Sequence, residues 1–165
     1  MLISVRNMTD AEFERFYQWS IDNHVEELLE ENQMTIEEAI RETKEEVTAM
    51  LPDGLNTKDN YLMTIEERDS KEPVGFIWTL HEETEGKKQS FVCDFFIYEP
   101  KRRKGYATAT LAEVEKEAVE AGCQESVLFV ADNNYAAIEL YKKCNYHFLR
   151  QMDYGKYMIK CSKIE

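Results

Sequence analysis

The sequence lacks most of the marks that assign a chain at once. It has four cysteines, Cys93, Cys123, Cys144 and Cys161, with no CxxC pair, and three dispersed histidines, His24, His81 and His147. Neither set has the spacing of a zinc site, so no metal is expected, and the thiols read as reduced and buried or half-buried. No apolar run reaches membrane-spanning length, which argues against a transmembrane helix and a membrane partner. The opening MLISVRNMTDAEFERF has no basic start, long apolar stretch or small-residue cleavage site, so the protein is expected in the cytoplasm. Positive charge is in short supply: the net charge is −13. Phosphate repels an acidic surface, so nucleic acid is a poor partner, whereas a cationic amine would be attracted. There is no GxxxxGK(S/T) phosphate loop, no three-glycine dinucleotide fingerprint, no repeat and no linker.

What is present fits one domain over residues 1–165, long enough to bury a core. Residues 1–6 alternate like a short strand. Thr9 or Asp10 can cap a helix whose Phe13, Phe16, Tyr17 and Ile21 recur at helical spacing. Thr35-x-x-Glu38 reads as a capping box for a second helix ending near Met50, closed by PDG at 52–54. Between Val25 and Glu46 lie nine glutamates, either a solvated face or an acidic lip over an amine-binding cleft. Three strand-like runs follow, Asn60–Glu66, Pro73–His81 and Gln89–Tyr98. The polar connections RDSKE and EETEGKK suit a meander. Then come a helix over Gly105–Ala121 stopped by Gly122, a strand over Ser126–Ala131, and a helix capped by Asn133 or Asn134. Strands over Tyr146–Arg150 and Lys156–Lys160 finish the chain. This order predicts an α/β (α+β) fold with a mixed sheet.

The most informative stretch joins the third strand to its helix. After Phe95-Phe96-Ile97-Tyr98-Glu99-Pro100 come four consecutive cations, Lys101, Arg102, Arg103 and Lys104, then Gly105, Tyr106, Ala107 and Thr108. The first amides of a helix lack intrahelical partners and carry the positive end of its dipole. A glycine there lets an anion approach the backbone. A basic run by itself is usually just a solvated turn.

The residues carry a resemblance as well. Arg102-x-x-Gly105-x-Ala107 resembles the (R/Q)xxGx(G/A) signature of the GNAT superfamily of N-acetyltransferases. Asn134-x-x-Ala137-x-x-Leu140-Tyr141, with Asn145-Tyr146 behind it, is similar to that superfamily's second segment. The resemblance implies a mostly antiparallel sheet of about seven strands flanked by about four helices. It also implies acetyl transfer from acetyl-CoA to an amine, small-molecule or peptide, by direct attack in a ternary complex. Backbone amides of Arg103, Lys104, Gly105, Tyr106, Ala107 and Thr108, with Arg102 in the motif, would hold the CoA pyrophosphate. Ile97 and Tyr98 would line the pantetheine arm like an added strand, and Asn134 would contact it. Asn145 stands where the superfamily commonly has glycine, a place expected to need a left-handed backbone, which asparagine tolerates best after glycine. The turn between Pro100 and Gly105 is one residue shorter than many members have. Dimers are common among such domains, and a homodimer is left open.

Roles follow from the same resemblance. Backbone N–H groups near Ile97 would meet the developing oxyanion. Tyr141 is expected to protonate the leaving thiolate as general acid. For the general base the resemblance names no residue; from its place on the strand feeding the phosphate turn Asp94 is named first, ahead of His81, Glu26 and Glu27, with a chain of waters as the other reading. The rival reading is a non-catalytic acyl-CoA-binding sensor or scaffold, which would keep the turn and have no use for Tyr141.

Overall fold

The computed structural model describes residues 2–162. These fall into two compact units, one over Met8–Asn60 and the other within Met1–Asn7 and Tyr61–Glu165.

The first unit holds α1 (Asp10–Glu31) and α2 (Ile36–Met50). Each begins with a capping box: Thr9 and Glu12 exchange side-chain and backbone bonds at α1, and Thr35 and Glu38 do the same at α2. Thr9, and not Asp10, is the cap. Phe16, Ser20 and Ile21 of α1 are buried, as are Ala39, Thr43 and Val47 of α2, each set at helical spacing. The nine glutamates between Val25 and Glu46 are all exposed, as a solvated face requires.

The second unit is built on a seven-stranded sheet in the order β1-β2-β3-β4-β5-β7-β6. The strands are β1 (Ile3–Asn7), β2 (Asn60–Glu67), β3 (Pro73–Thr84), β4 (Lys87–Ile97), β5 (Glu125–Ala131), β6 (His147–Gln151) and β7 (Gly155–Cys161). The helices are α3 (Tyr106–Glu120) and α4 (Tyr135–Lys143). With α1 and α2 this makes the mostly antiparallel sheet and helix complement expected, the β4–β5 pair being parallel. Leu111 and Val114 of α3, Ile138 and Tyr141 of α4 and Ile65, Ile77, Leu128 and Met158 of the sheet belong to one apolar core.

Two expectations change in detail. The EETEGKK connection is mostly strand: β3 runs to Thr84 and β4 starts at Lys87. Only Glu85 and Gly86 turn, with φ of 53° and 78°, the conformation that matches the twist of a two-residue hairpin. His81 therefore lies inside β3, opposite Ser90, and not at its end. It is buried, with its ring 4.5 Å from that of Tyr61.

Candidate active site

The site is built where β4 parts from β5. The parallel ladder runs from Gln89↔Glu125 to Val92↔Leu128 and stops. The next residue, Cys93, is a bulge: Thr79 of β3 pairs with Val92 and Trp78 with Asp94, leaving Cys93 without an opposite number. A bulge bends its strand and strengthens the local twist, so β4 turns away from β5 at the point where their pairing ends. Beyond it β4 keeps only β3, up to Ile97↔Gly75. The β3 backbone comes so close here that a Cβ on Gly75 would lie 2.1 Å from the Phe96 carbonyl oxygen, so only glycine fits.

Alternation then fixes where the free groups point. The Tyr98 N–H donates to the Val74 carbonyl at 2.9 Å, so Tyr98 and Phe96 face β3. The backbone groups of Phe95 and Ile97 face the opposite edge, into the gap. The Ile97 carbonyl accepts from Arg102 Nε at 2.8 Å, and the guanidinium of Arg102 also lies 4.9 Å from the Phe96 ring centroid. Among the described residues, no partner covers the Ile97 N–H in this way. The gap thus offers an extended, unpaired strand edge next to the basic turn.

That turn ends in an uncapped helix. A short 3-10 turn over Glu99–Lys101 leads to Arg103 and Gly105, both left-handed with φ of 62° and 85°. Gly105 is the N-cap of α3 and makes no side-chain cap bond. The first backbone bond of the helix is Ala109 N–H to the Gly105 carbonyl. Among the described residues, none of the amides from Arg103 through Thr108 donates to the protein. Successive amides with left-handed residues among them form a concave nest for an anion, reinforced by the helix dipole. Tyr106 contributes only its backbone, because its ring is buried in the core and its hydroxyl donates to Glu67 at 2.5 Å. Lys101 is held by Glu72 at 3.0 Å. The side chains of Arg102, Arg103 and Lys104 are exposed.

The remaining residues sit on neighbouring elements. Asn134 caps α4, its Oδ1 accepting from the Ala137 N–H at 3.3 Å. Asn145 has φ of 69°, the left-handed conformation expected for a glycine replacement, and closes α4 with the Tyr146 N–H reaching back to the Tyr141 carbonyl. Tyr141 belongs to the same core cluster as Ile97, and its ring lies 5.9 Å from that of Tyr146. Burial, assisted by Cys144, raises its phenol to about 12, so the hydroxyl stays protonated through the neutral range. Asp94 is half-buried on β4 directly after the bulge. Burial, with Asp94 and Glu82 adding negative charge, pushes the Cys93 thiol up to about 12. Cys123 and Cys144 are also raised, chiefly by burial. None of these three thiols has the lowered value of an activated nucleophile. Glu26 and Glu27 are exposed on α1. Among the described residues no group of histidine, cysteine, aspartate or glutamate is arranged to hold a metal ion, and no helix is long and apolar enough to cross a membrane.

Three features escaped the sequence. The bulge at Cys93 follows from pairing with β3, and nothing in CDFF marks it. The bond between Arg102 and Ile97 had a partial signal, an arginine five residues past a strand end. The bond between Tyr106 and Glu67 joins residues 39 apart and had none.

Comparison with known proteins places this architecture. Residues 13–146 match the model of the acetyltransferase (GNAT) family. The chain is 29% identical over 146 residues to the uncharacterized N-acetyltransferase YdgE of Bacillus subtilis (strain 168), covering 88% of this chain and 92% of that protein. It is 30% identical, again over 146 residues, to the uncharacterized N-acetyltransferase YycN of the same organism, covering 88% and 93%. The crystal structure of YycN superposes with a TM-score of 0.81 over 92% of this chain and 96% of that one, at 28% identity. The PaiA N-acetyltransferase of Thermoplasma acidophilum, solved in complex with coenzyme A, shares the fold at 18% identity, with a TM-score of 0.70 over 98% of this chain and 100% of that one. With its opened β4 edge and uncapped α3 accounted for, the chain belongs to the GNAT family of acetyltransferases.

Proposed function

We propose that residues 1–165 form one acetyl-CoA-dependent N-acetyltransferase domain that acylates a primary amine, carried on a small molecule or a peptide, by direct attack in a ternary complex. The observation that carries this is the junction of two unsatisfied backbone edges. The amides of Arg103–Thr108 and the N–H of Ile97 lie on one continuous segment, one set shaped for a diphosphate and the other for an extended amide chain. A CoA has those two parts in that order, and the PaiA structure holds CoA on the same fold. The residues present fit the group: six open amides suit the diphosphate, and an unpaired strand edge suits the two amides of pantetheine.

In this reading the chain's own groups divide the work. Arg103–Thr108 bind the diphosphate, with the exposed cations of Arg102, Arg103 and Lys104 adding charge. Ile97 and Tyr98 orient the arm, and Asn134 meets it at the start of α4. The Ile97 N–H is placed to stabilise negative charge on the acyl oxygen as the amine nitrogen attacks the thioester carbon. As the carbon–sulfur bond breaks, Tyr141 gives its phenolic proton to the thiolate, and a raised phenol is in the right state to do so. Asp94 takes the proton the amine loses, which leaves the phenol to be reprotonated from solvent. Direct attack is supported by thiols held in their inert, protonated form. An acidic chain favours a cationic acceptor.

A second reading, an acyl-CoA-binding module without turnover, is favoured by one observation: Tyr141 is packed in the core like a structural aromatic. Thiol release from acetyl-CoA across a panel of amines, alongside calorimetry with CoA, separates the two. Binding with thiol release supports the enzyme, and binding without it supports the module. No binding discards both.

A further inference from the structure

We infer that Glu67 is a positioning residue for the anion nest, holding the first turn of α3 in register with the sheet. This rests on the diphosphate reading above and names a part of that site which neither motif contains. Glu67 is the last residue of β2, two strands away from β4. Its Oε2 accepts the Tyr106 hydroxyl at 2.5 Å, and Tyr106 is the first residue of α3. The Tyr106 ring is itself anchored in the core, so the bond ties the open end of the helix to β2 as well as to the core. No side chain caps α3, and its open amides cannot hold one another. The carboxylate end is equally fixed, because the Glu67 backbone bonds to Glu72 through its N–H and to Lys71 through its carbonyl. The Tyr106 hydroxyl, then Ser70, and more weakly the charges of Lys101 and Lys104, keep Glu67 below the usual carboxylate value. The same bond holds the Tyr106 phenol above its own. The bond is therefore intact through the neutral range.

The placement is informative because, for diphosphate binding, charge alone counts against it. A carboxylate beside Lys101 and Lys104 weakens the field that draws a diphosphate. Removing it would tighten CoA binding if electrostatics were its only effect. If the bond to Tyr106 aligns the amides, the outcome depends on whether the replacement can still accept a hydrogen bond.

The test compares Glu67→Gln, which keeps an acceptor and loses the charge, with Glu67→Ala, which loses both. Folding is checked by thermal melting, CoA affinity is measured by calorimetry, and pantetheine affinity by amide shifts. Glu67→Ala is expected to weaken CoA roughly three- to tenfold, the worth of one hydrogen bond. Pantetheine, which has no diphosphate, should bind it as it binds the parent protein. Glu67→Gln should bind CoA at least as tightly as the parent. Tyr106→Phe breaks the bond from the other side and, because the carboxylate's charge stays, should weaken CoA at least as much. The inference is overturned if Glu67→Ala binds CoA as tightly as Glu67→Gln, or if CoA and pantetheine weaken together. A parent protein that binds no CoA would instead sink the diphosphate reading, and this inference with it.

Discussion

Two kinds of helix start occur in this molecule. At α1, α2 and α4 a side chain, from Thr9, Thr35 or Asn134, turns back to satisfy an early amide. At α3 nothing does, and the residue in the cap position is a left-handed glycine. A capped start is closed to an outside anion, whereas an uncapped one keeps its donors and dipole for a ligand. The sheet repeats the contrast within one strand, since β4 is paired on both sides up to Val92 and on one side only beyond it. Groups left unsatisfied cost stability, so where several cluster the natural explanation is a partner that completes them.

The largest change is expected at the chemistry the open start serves. Tyr141→Phe should lower turnover by roughly 10²- to 10⁴-fold, the usual contribution of a general acid, with CoA affinity unchanged by calorimetry. If the open start serves binding alone, turnover will be the same in both proteins. Gly105→Asp would place a carboxylate where the diphosphate belongs, on a left-handed backbone with φ of 85° that strains any side chain. Repulsion of the diphosphate and disturbance of the nest predict CoA binding weaker by on the order of 100-fold, read by calorimetry, with a lower melting temperature from the strained backbone. Asp94→Asn should shift the acidic limb of the pH–rate profile, and an identical profile would remove Asp94 as the base. On the alkaline side, a phenol raised to about 12 by burial stays protonated until the pH approaches that value. Its favourable protonated state is fully present below the ordinary tyrosine value and is lost as pH rises through the raised one. A limb of kcat falling below that range must then come from another group, as comparison with Tyr141→Phe would reveal. The smallest effect belongs to a true cap. Thr35→Ala should cost about 1 kcal/mol of stability by denaturant unfolding and leave CoA affinity alone.

The open helix start was legible in the sequence because each of its causes is local. Four cations, a glycine and a helical pattern are all read within a dozen residues, and the Thr35-x-x-Glu38 capping box announces itself at fixed spacing, whereas the choice between Thr9 and Asp10 at α1 needed the structure. The left-handed Asn145 was legible for the same reason. The parting of β4 from β5 was not. Gln89–Tyr98 reads by composition as a central strand, and the bulge at Cys93 exists only through its register with Trp78 and Thr79. The loop between β3 and β4 reads too long in the sequence because Glu82, Glu83 and Thr84 are exposed and polar. They are nevertheless paired, through Gln89, Lys88 and Lys87. Glu67 illustrates the same limit, since a tether between distant residues has no period to betray it.

The central claim is that the amides of Arg103–Thr108 receive a diphosphate. Its most direct test is to follow those six amide resonances while CoA, and separately pantetheine, is titrated in. The account predicts large shifts at these amides with CoA and little change there with pantetheine, which should instead move Ile97 and its neighbours. Saturation with CoA that leaves the six resonances in place would contradict it.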